Sequence, residues 1–357
     1  MMRLHCEDHR RLRTRNAMRS VYGVLLWVTV GGPIQAQDKV VLQRDRGSRI
    51  VLNCLIVDYT GSSITVRSRP KSLPKTYPAS QVIEVRTPQS EVHQQGLTLY
   101  AADRIEEANV AFNSALKQEP RSWVRREILA MSVRCSQRLG DYSSAGSRFL
   151  LLVGSDSQTR HFKIIPLIWA SLNLPRDVKS DARAWLGQDE NVARLLGASL
   201  LLDDVSYSQS AQDTLRQLKR NTDPRIRELA ASQLWRTKLR STDVSRMELQ
   251  RWQVRIRMIP KDLRGGAFYL LGRGHLIRRE HEQAAAAFLW LPLVFDSDYH
   301  LSARACLAAA DALSSIRQTN EATTLYREVT YRFSDTVFAQ EAAAHLKIPS
   351  SNQQSTP

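Results

Sequence analysis

Residues 96–120 read GLTLYAADRIEEANVAFNSALKQEP. The stretch holds no catalytic motif, yet its small and large apolar residues fall at fixed offsets. Ala108, Phe112 and Ala115 keep the 3/4 spacing that puts them on one helical face. Gly96 stands twelve residues before Ala108, and Pro120 closes the stretch. Small side chains let two antiparallel helices approach closely, and one large ring fills the gap beside them. The spacing therefore predicts a helical hairpin. Gly96 lies on its first helix and Ala108 and Ala115 on its second; Phe112 is the plug and Pro120 the stop.

The scheme recurs. Residues 126–155 offer Gly140, Ala145, Phe149 and Leu152. GGAFYLLGRGHLIRREHEQAAAAFLWLPL offers Gly272, Ala284, Phe288 and Leu291, and ARACLAAADALSSIRQTNEATTLYREV offers Ala310, Ala322, Tyr326 and Val329. YRFSDTVFAQEAAAHL reads as a capping helix with Ala339, Ala342 and Ala343 turned inward. This set of glycine, alanine, aromatic, alanine and proline positions resembles the tetratricopeptide repeat (TPR). The two later copies depart from it: the first lacks the closing proline, and the second has alanine in place of glycine.

The middle of the chain follows another rule. ENVARLLGASLL and DPRIRELAASQL align without gaps at an offset of 33 residues, matching Arg194, Leu196, Ala198, Ser199 and Leu201 to Arg227, Leu229, Ala231, Ser232 and Leu234. Asp223 before Pro224 makes an N-cap followed by proline in the first helical position. These pairs are similar to HEAT repeats. Both resemblances imply a mainly α fold, an α-solenoid of TPR/HEAT-like hairpins in which each unit buries its apolar face on its neighbours.

Residues 38–87 read as β-structure instead. RIVLNCLIVDYTGSSITVRS is dense in Ile and Val with a turn at Thr60-Gly61, Ile64 and Val66 alternate with Thr65 and Arg67, and QVIEVRT supplies another strand. A loop carrying Pro70, Pro74 and Pro78 lies between them. The expectation is a small β-barrel or sheet module, SH3-like in size, that caps the helices. Ahead of it, MRSVYGVLLWVTVGGPIQAQD has the charge, apolar run and small-residue site of a secretory signal, with Met18 as a possible start. The sequence thus divides into a signal (1–36), a β module (37–88), TPR-like repeats (89–156), HEAT-like repeats (157–245), TPR-like repeats with a capping helix (246–348) and a disordered tail (349–357). The chain is read as helical almost throughout from Gln89 to about Leu346. Export to the periplasm or cell envelope is expected, with no stable membrane span once the signal is removed.

The formal charge is +16. The leader's six arginines and two acids do not account for it, so the mature chain stays basic and suits acidic partners or surfaces. Cys54, Cys135 and Cys306 remain after the leader, widely spaced and without metal-ligand spacing, and are expected to be small buried residues. His275 and His281 stand six apart, the wrong interval for one helical face, and no HExxH occurs. GRGHLIRR lacks the GxGxxG and Walker lysine patterns, and no GxSxG elbow is present. Glu106-Glu107 and Glu280/Glu282 read as exposed helix residues. No catalytic residue, metal or cofactor is therefore predicted, and no nucleic acid is expected as a partner. The basic run 236–264 is expected to be a solvated helix face, because Leu249, Trp252, Ile256 and Ile259 keep helical spacing. Trp123, Trp185, Trp235 and Trp290 are expected in the core.

The TPR resemblance implies a non-enzymatic scaffold that binds partner proteins through a groove lined by the first helix of each pair. Alignment with the family places His93, Tyr100, Arg134, Tyr269, Arg273 and Arg304 in that groove. Their aromatic and cationic character suits an acidic or carboxylate-bearing segment. A second reading is a basic exported module for anionic envelope polymers or lipid headgroups. A third is an enzyme with its site in the groove.

Overall fold

The computed structural model describes residues 38–44, 47–242 and 244–347. The signal and its start, and the tail, lie outside the described residues. The described chain is mainly helical, with one small antiparallel sheet at its N-terminal end.

The strands are β1 (Asp38–Gln43), β2 (Arg49–Tyr59), β3 (Ser63–Arg67), β4 (Lys75–Pro78) and β5 (Val82–Arg86). They form one sheet in the order β4-β3-β2-β1-β5. It is an open sheet and not a closed barrel: β4 and β5 are its edges. β4 was expected as loop. Its ladder partner β3 recruits it, pairing Thr65 with Thr76 and Ile64 with Tyr77, which local propensity could not reveal.

Helices α1 (Glu91–Ala101), α2 (Ile105–Gln118), α3 (Ser122–Arg138) and α4 (Tyr142–Ser155) follow. The inward face of the sheet (Val40, Leu42, Cys54, Ile56, Ile64, Val66) shares a core with Ala108, Phe112, Trp123 and Ile128. Asp58 and the Tyr59 carbonyl hold buried Arg126, so the sheet is fastened to α3.

The hole and plug are present. A Cβ on Gly96 would lie 2.8 Å from the Phe112 ring, closer than side chains tolerate. Phe112, Ala108 and Ala115 are fully buried. α2 ends at Gln118, and Glu119 before Pro120 is extended, as a residue preceding proline should be. In α4, Ala145, Phe149 and Leu152 are fully buried, but the Phe149 ring meets Phe162 edge-on at 5.6 Å. Gly140 packs on nothing. It takes φ +70° in the α3–α4 turn, where only glycine is unstrained.

Residues 156–175 depart from the helical expectation. Apart from one 3₁₀ turn (Phe162–Ile164), the segment has no regular structure. Yet Ile164, Ile165, Leu167, Ile168, Trp169 and Leu174 are buried. Pro166 and Pro175 explain the break, since each lacks a donor and biases its predecessor to extended backbone.

Helices α5 (Arg176–Leu186), α6 (Asn191–Leu201), α7 (Ser208–Leu218), α8 (Pro224–Gln233), α9 (Trp235–Arg240) and α10 (Arg246–Ile256) form the middle. Asp223 caps α8 through the Arg225 N–H, with Pro224 at its first position. The aligned Ser199 and Ser232 are both fully buried. Leu249, Trp252, Ile256 and Ile259 are buried as spaced, and Trp252 stacks on Trp235 at 4.7 Å.

Helices α11 (Gly265–Ile277), α12 (His281–Val294), α13 (Tyr299–Ser315), α14 (Thr319–Arg332) and α15 (Val337–Lys347) complete the chain. The hole and plug return: a Cβ on Gly272 would lie 2.7 Å from the Phe288 ring. Ala284, Ala310, Ala322, Tyr326, Val329, Ala339 and Ala342 are buried. Trp290 is the exception among the tryptophans expected in the core. It is 45% exposed, lying on Phe268 at 5.0 Å on the outer side of α12; Trp123, Trp185 and Trp235 are buried.

Most helices pack mainly on their sequence neighbours; α9 packs at least as much on α11 as on α8, and α13 also reaches back to α3. Arg138 of α3 bonds Asp103 and Asp335, and its guanidinium lies 3.4 Å from the Tyr299 ring centroid. His300 donates from Nε2 to the Arg138 carbonyl at 2.7 Å. This latch ties the early hairpins to the late ones.

Candidate functional site

The irregular segment builds the site. Its backbone lies in an apolar interior and must find partners for its N–H and C=O groups. The Ile168 N–H donates to Ser199 Oγ at 3.0 Å. The Ile168 carbonyl accepts from Gln233 Nε2 at 3.0 Å and from Arg236 Nη1 at 2.9 Å. Arg236 also reaches the Ser199 carbonyl, Gln233 Oε1 and the Asp203 carboxylate. Burial pulls the Arg236 pKa down and the Asp203 charge opposes that pull. Arg236 was expected on a solvated face; it is buried because the segment's carbonyl needs it. Trp169 then seats where Gly266 leaves room, since a Cβ there would lie 1.9 Å from its ring.

Three adjoining clefts lie here, two of them lined by this segment. The first, about 340 Å³, has the segment as its floor and Tyr142, Asp298, His300, Arg304 and Phe338 on its walls. The second, about 460 Å³, lies between α11, α13 and α15, with Tyr269, Arg273, Arg304 and Phe338. The third, about 150 Å³, includes Trp169, Asp203, Arg236, Arg240, Tyr269 and Arg273. Arg304 and Phe338 border the first two, Tyr269 and Arg273 the last two, and Trp169 the first and third. The three adjoin through these shared residues to form one concavity, mainly apolar in the first cleft and of mixed lining in the other two, where Asp203, Asp311 and Glu341 stand beside the cations.

Of the residues aligned to a groove, Tyr269, Arg273 and Arg304 come together there. Arg273 is exposed, with Nη1 3.5 Å from the Tyr269 hydroxyl. Arg304 lies 5.7 Å from the Phe338 ring. Tyr269 is almost wholly buried, tilted against Phe288 at 5.6 Å, and borders the cleft without projecting into it. The other three are elsewhere. Tyr100 and Arg134 meet each other; burial pushes the Tyr100 hydroxyl up and the Arg134 charge and hydrogen bond act against it. His93 is buried, its ring 6.2 Å from Phe112, and desolvation pulls its pKa down. It packs the first hairpin and presents nothing to a partner.

No protein-family model matches the chain, and no curated protein matches it.

In the first cleft, burial pushes the Asp298 carboxyl above its usual range, although the Leu301 N–H it caps pulls the other way. Burial, with Asp298 nearby, pushes the Tyr142 hydroxyl up to about 12. His275 is bonded to Glu280 at 2.7 Å, and no metal-holding group of three His, Cys, Asp or Glu occurs among the described residues. Cys54, Cys135 and Cys306 are buried and free, their thiols pushed by burial up to about 11, 12 and 12.

The site residues missed from sequence are Trp169, Asp203, Arg236, Tyr142 and His300. One signal was readable: residues 164–175 carry no charge and include two prolines, which suits a buried segment that is not a helix.

Proposed function

We propose that this chain is an exported protein–protein interaction scaffold, a TPR/HEAT-like solenoid that holds a partner segment in the concavity bounded by α11, α13, α15 and residues 166–175. The observation that carries this reading is the convergence of Arg273 and Arg304 on one cleft of mixed lining, beside Leu276, Leu307 and Phe338 and with Asp311 and Glu341 also on its walls, where neither arginine has an ion-pair partner among the described residues. Apolar walls with a few fixed polar groups are the ordinary composition of a binding site. Arginine recognises carboxylates bidentately, so a partner segment with apolar side chains and an acidic group fits. Export rests on the signal-like residues 18–36.

The test is affinity capture from envelope extracts with the wild type and with Arg273→Glu/Arg304→Glu, at low and high salt. Loss of a captured protein from the double variant, with an unchanged thermal melt, is the expected outcome. Equal capture by both chains overturns the reading. Turnover on a substrate panel would replace it with a catalytic one.

A further inference from the structure

The outer face of the β-sheet has no partner among the described elements. The residues that alternate with the inward set are Lys39, Val41, Arg49, Val51, Leu55 and Arg67. Val51 is 52% exposed, Leu55 46% and Val57, at a register shift, 42%. The register sets Lys39 directly opposite Arg86, and Leu55 opposite Arg67. Like charges opposite one another destabilise a sheet, and the carboxylate relieving this pair is Glu84, bonded to Arg86. Arg67 leads into the β3–β4 loop, RSRPKSLPK. Leu73 in this loop is 88% exposed and is flanked by Arg69, Lys71 and Lys75. A large aliphatic side chain held in water among three cations calls for a partner that is both anionic and apolar.

We propose that this face and loop dock on an anionic lipid bilayer surface, with Leu73 entering the headgroup–acyl boundary and the cations lying among the headgroups. The charge complementarity suits other polyanions, but the apolar residues do not. Single-stranded nucleic acid is read on aromatic faces; here the exposed residues are aliphatic, Tyr59 is buried, and Tyr77 pairs with inward Ile64. No described helix is long and apolar enough to cross a membrane. The docking does not depend on the groove.

The test uses the full chain carrying Cys6→Ser and Leu73→Cys, labelled at position 73 with an environment-sensitive fluorophore; Cys54, Cys135 and Cys306 are buried. It is mixed with vesicles of phosphatidylcholine alone or with about one third phosphatidylglycerol. Co-sedimentation with the anionic vesicles alone, and a blue shift of the label, are expected. Arg69→Glu/Lys71→Glu in the unlabelled chain should weaken partitioning about tenfold or more, and Leu73→Ser several-fold, without changing the thermal melt. Arg273→Glu/Arg304→Glu should bind vesicles as the wild type does, which separates this site from the groove. Absence of vesicle binding, an unshifted label, or full binding by the charge reversal overturns the proposal. Tight binding to single-stranded DNA without vesicle binding gives the face to nucleic acid instead, and a label already shifted in a lipid-free dimer gives it to a second copy.

Discussion

Two regions of this molecule bury comparable side chains by different means. In hairpins α1–α2 and α11–α12, a glycine leaves a hole and a phenylalanine fills it; the backbone hydrogen-bonds within its own helices. In residues 156–175 most apolar side chains are buried too, but the backbone bonds itself only in short turns as far as Leu167, and Ile168 finds no backbone partner. Ser199, Gln233 and Arg236 bond Ile168, and Asp203 holds Arg236 in turn. Regular hairpins need shape alone, whereas an irregular segment needs shape and donors. The second arrangement is also what opens a cleft, because a strand-like path does not close against the helices beside it.

The largest expected effect lies on the hairpin side. Phe288→Ala should cost about 3–5 kcal/mol by leaving a cavity in a fully packed site, read as a lower urea midpoint. Phe112→Ala should behave alike. If both melts stay unchanged, rings of this kind do not hold the hairpins.

Next comes the clamp. Arg236→Met should cost about 2–3 kcal/mol by stripping donors from the Ile168 and Ser199 carbonyls and from Asp203. Amide exchange should accelerate at residues 165–170 more than in α11–α12. Uniform acceleration would mean that the segment and the hairpins are one cooperative unit. Ser199→Ala removes one acceptor from the clamp and should cost about 1–2 kcal/mol, with the Ile168 amide the most affected.

The smallest effect concerns the latch between the early and late hairpins. Burial pushes the Asp335 carboxyl up, but bonds from Tyr299 and Arg138 outweigh it and hold the pKa below the usual carboxylate value. Its contribution to stability is therefore present above about pH 3.9 and is lost as the pH falls through the lower folded value. Arg138→Met should flatten this acid dependence of the melting temperature. An unaltered acid limb would remove the latch from the account.

How much of this was legible follows from the same contrast. The hairpins were readable because helical spacing puts Ala108, Phe112 and Ala115 on one face, so side-chain size along the sequence reports packing. Asp223-Pro224 announced the start of α8 for a similarly local reason. Strand β4 was not readable, since its pairing with β3 is a long-range fact. Arg236 looked like one more surface cation, because its use depends on a carbonyl 68 residues away. Of the aligned groove positions, Arg273 and Arg304 reach the concavity and His93 packs inside the first hairpin, so spacing alone did not tell a groove-facing residue from one facing the core.

The most direct measurement is a double-mutant cycle on Gly272→Ala and Phe288→Leu, read by urea denaturation. If the ring occupies the space that glycine leaves, Gly272→Ala is strongly destabilising beside phenylalanine and much less so beside leucine, a coupling of about 1–3 kcal/mol. Additive costs would contradict the hole and the plug on which the helical hairpins, and the concavity they enclose, depend.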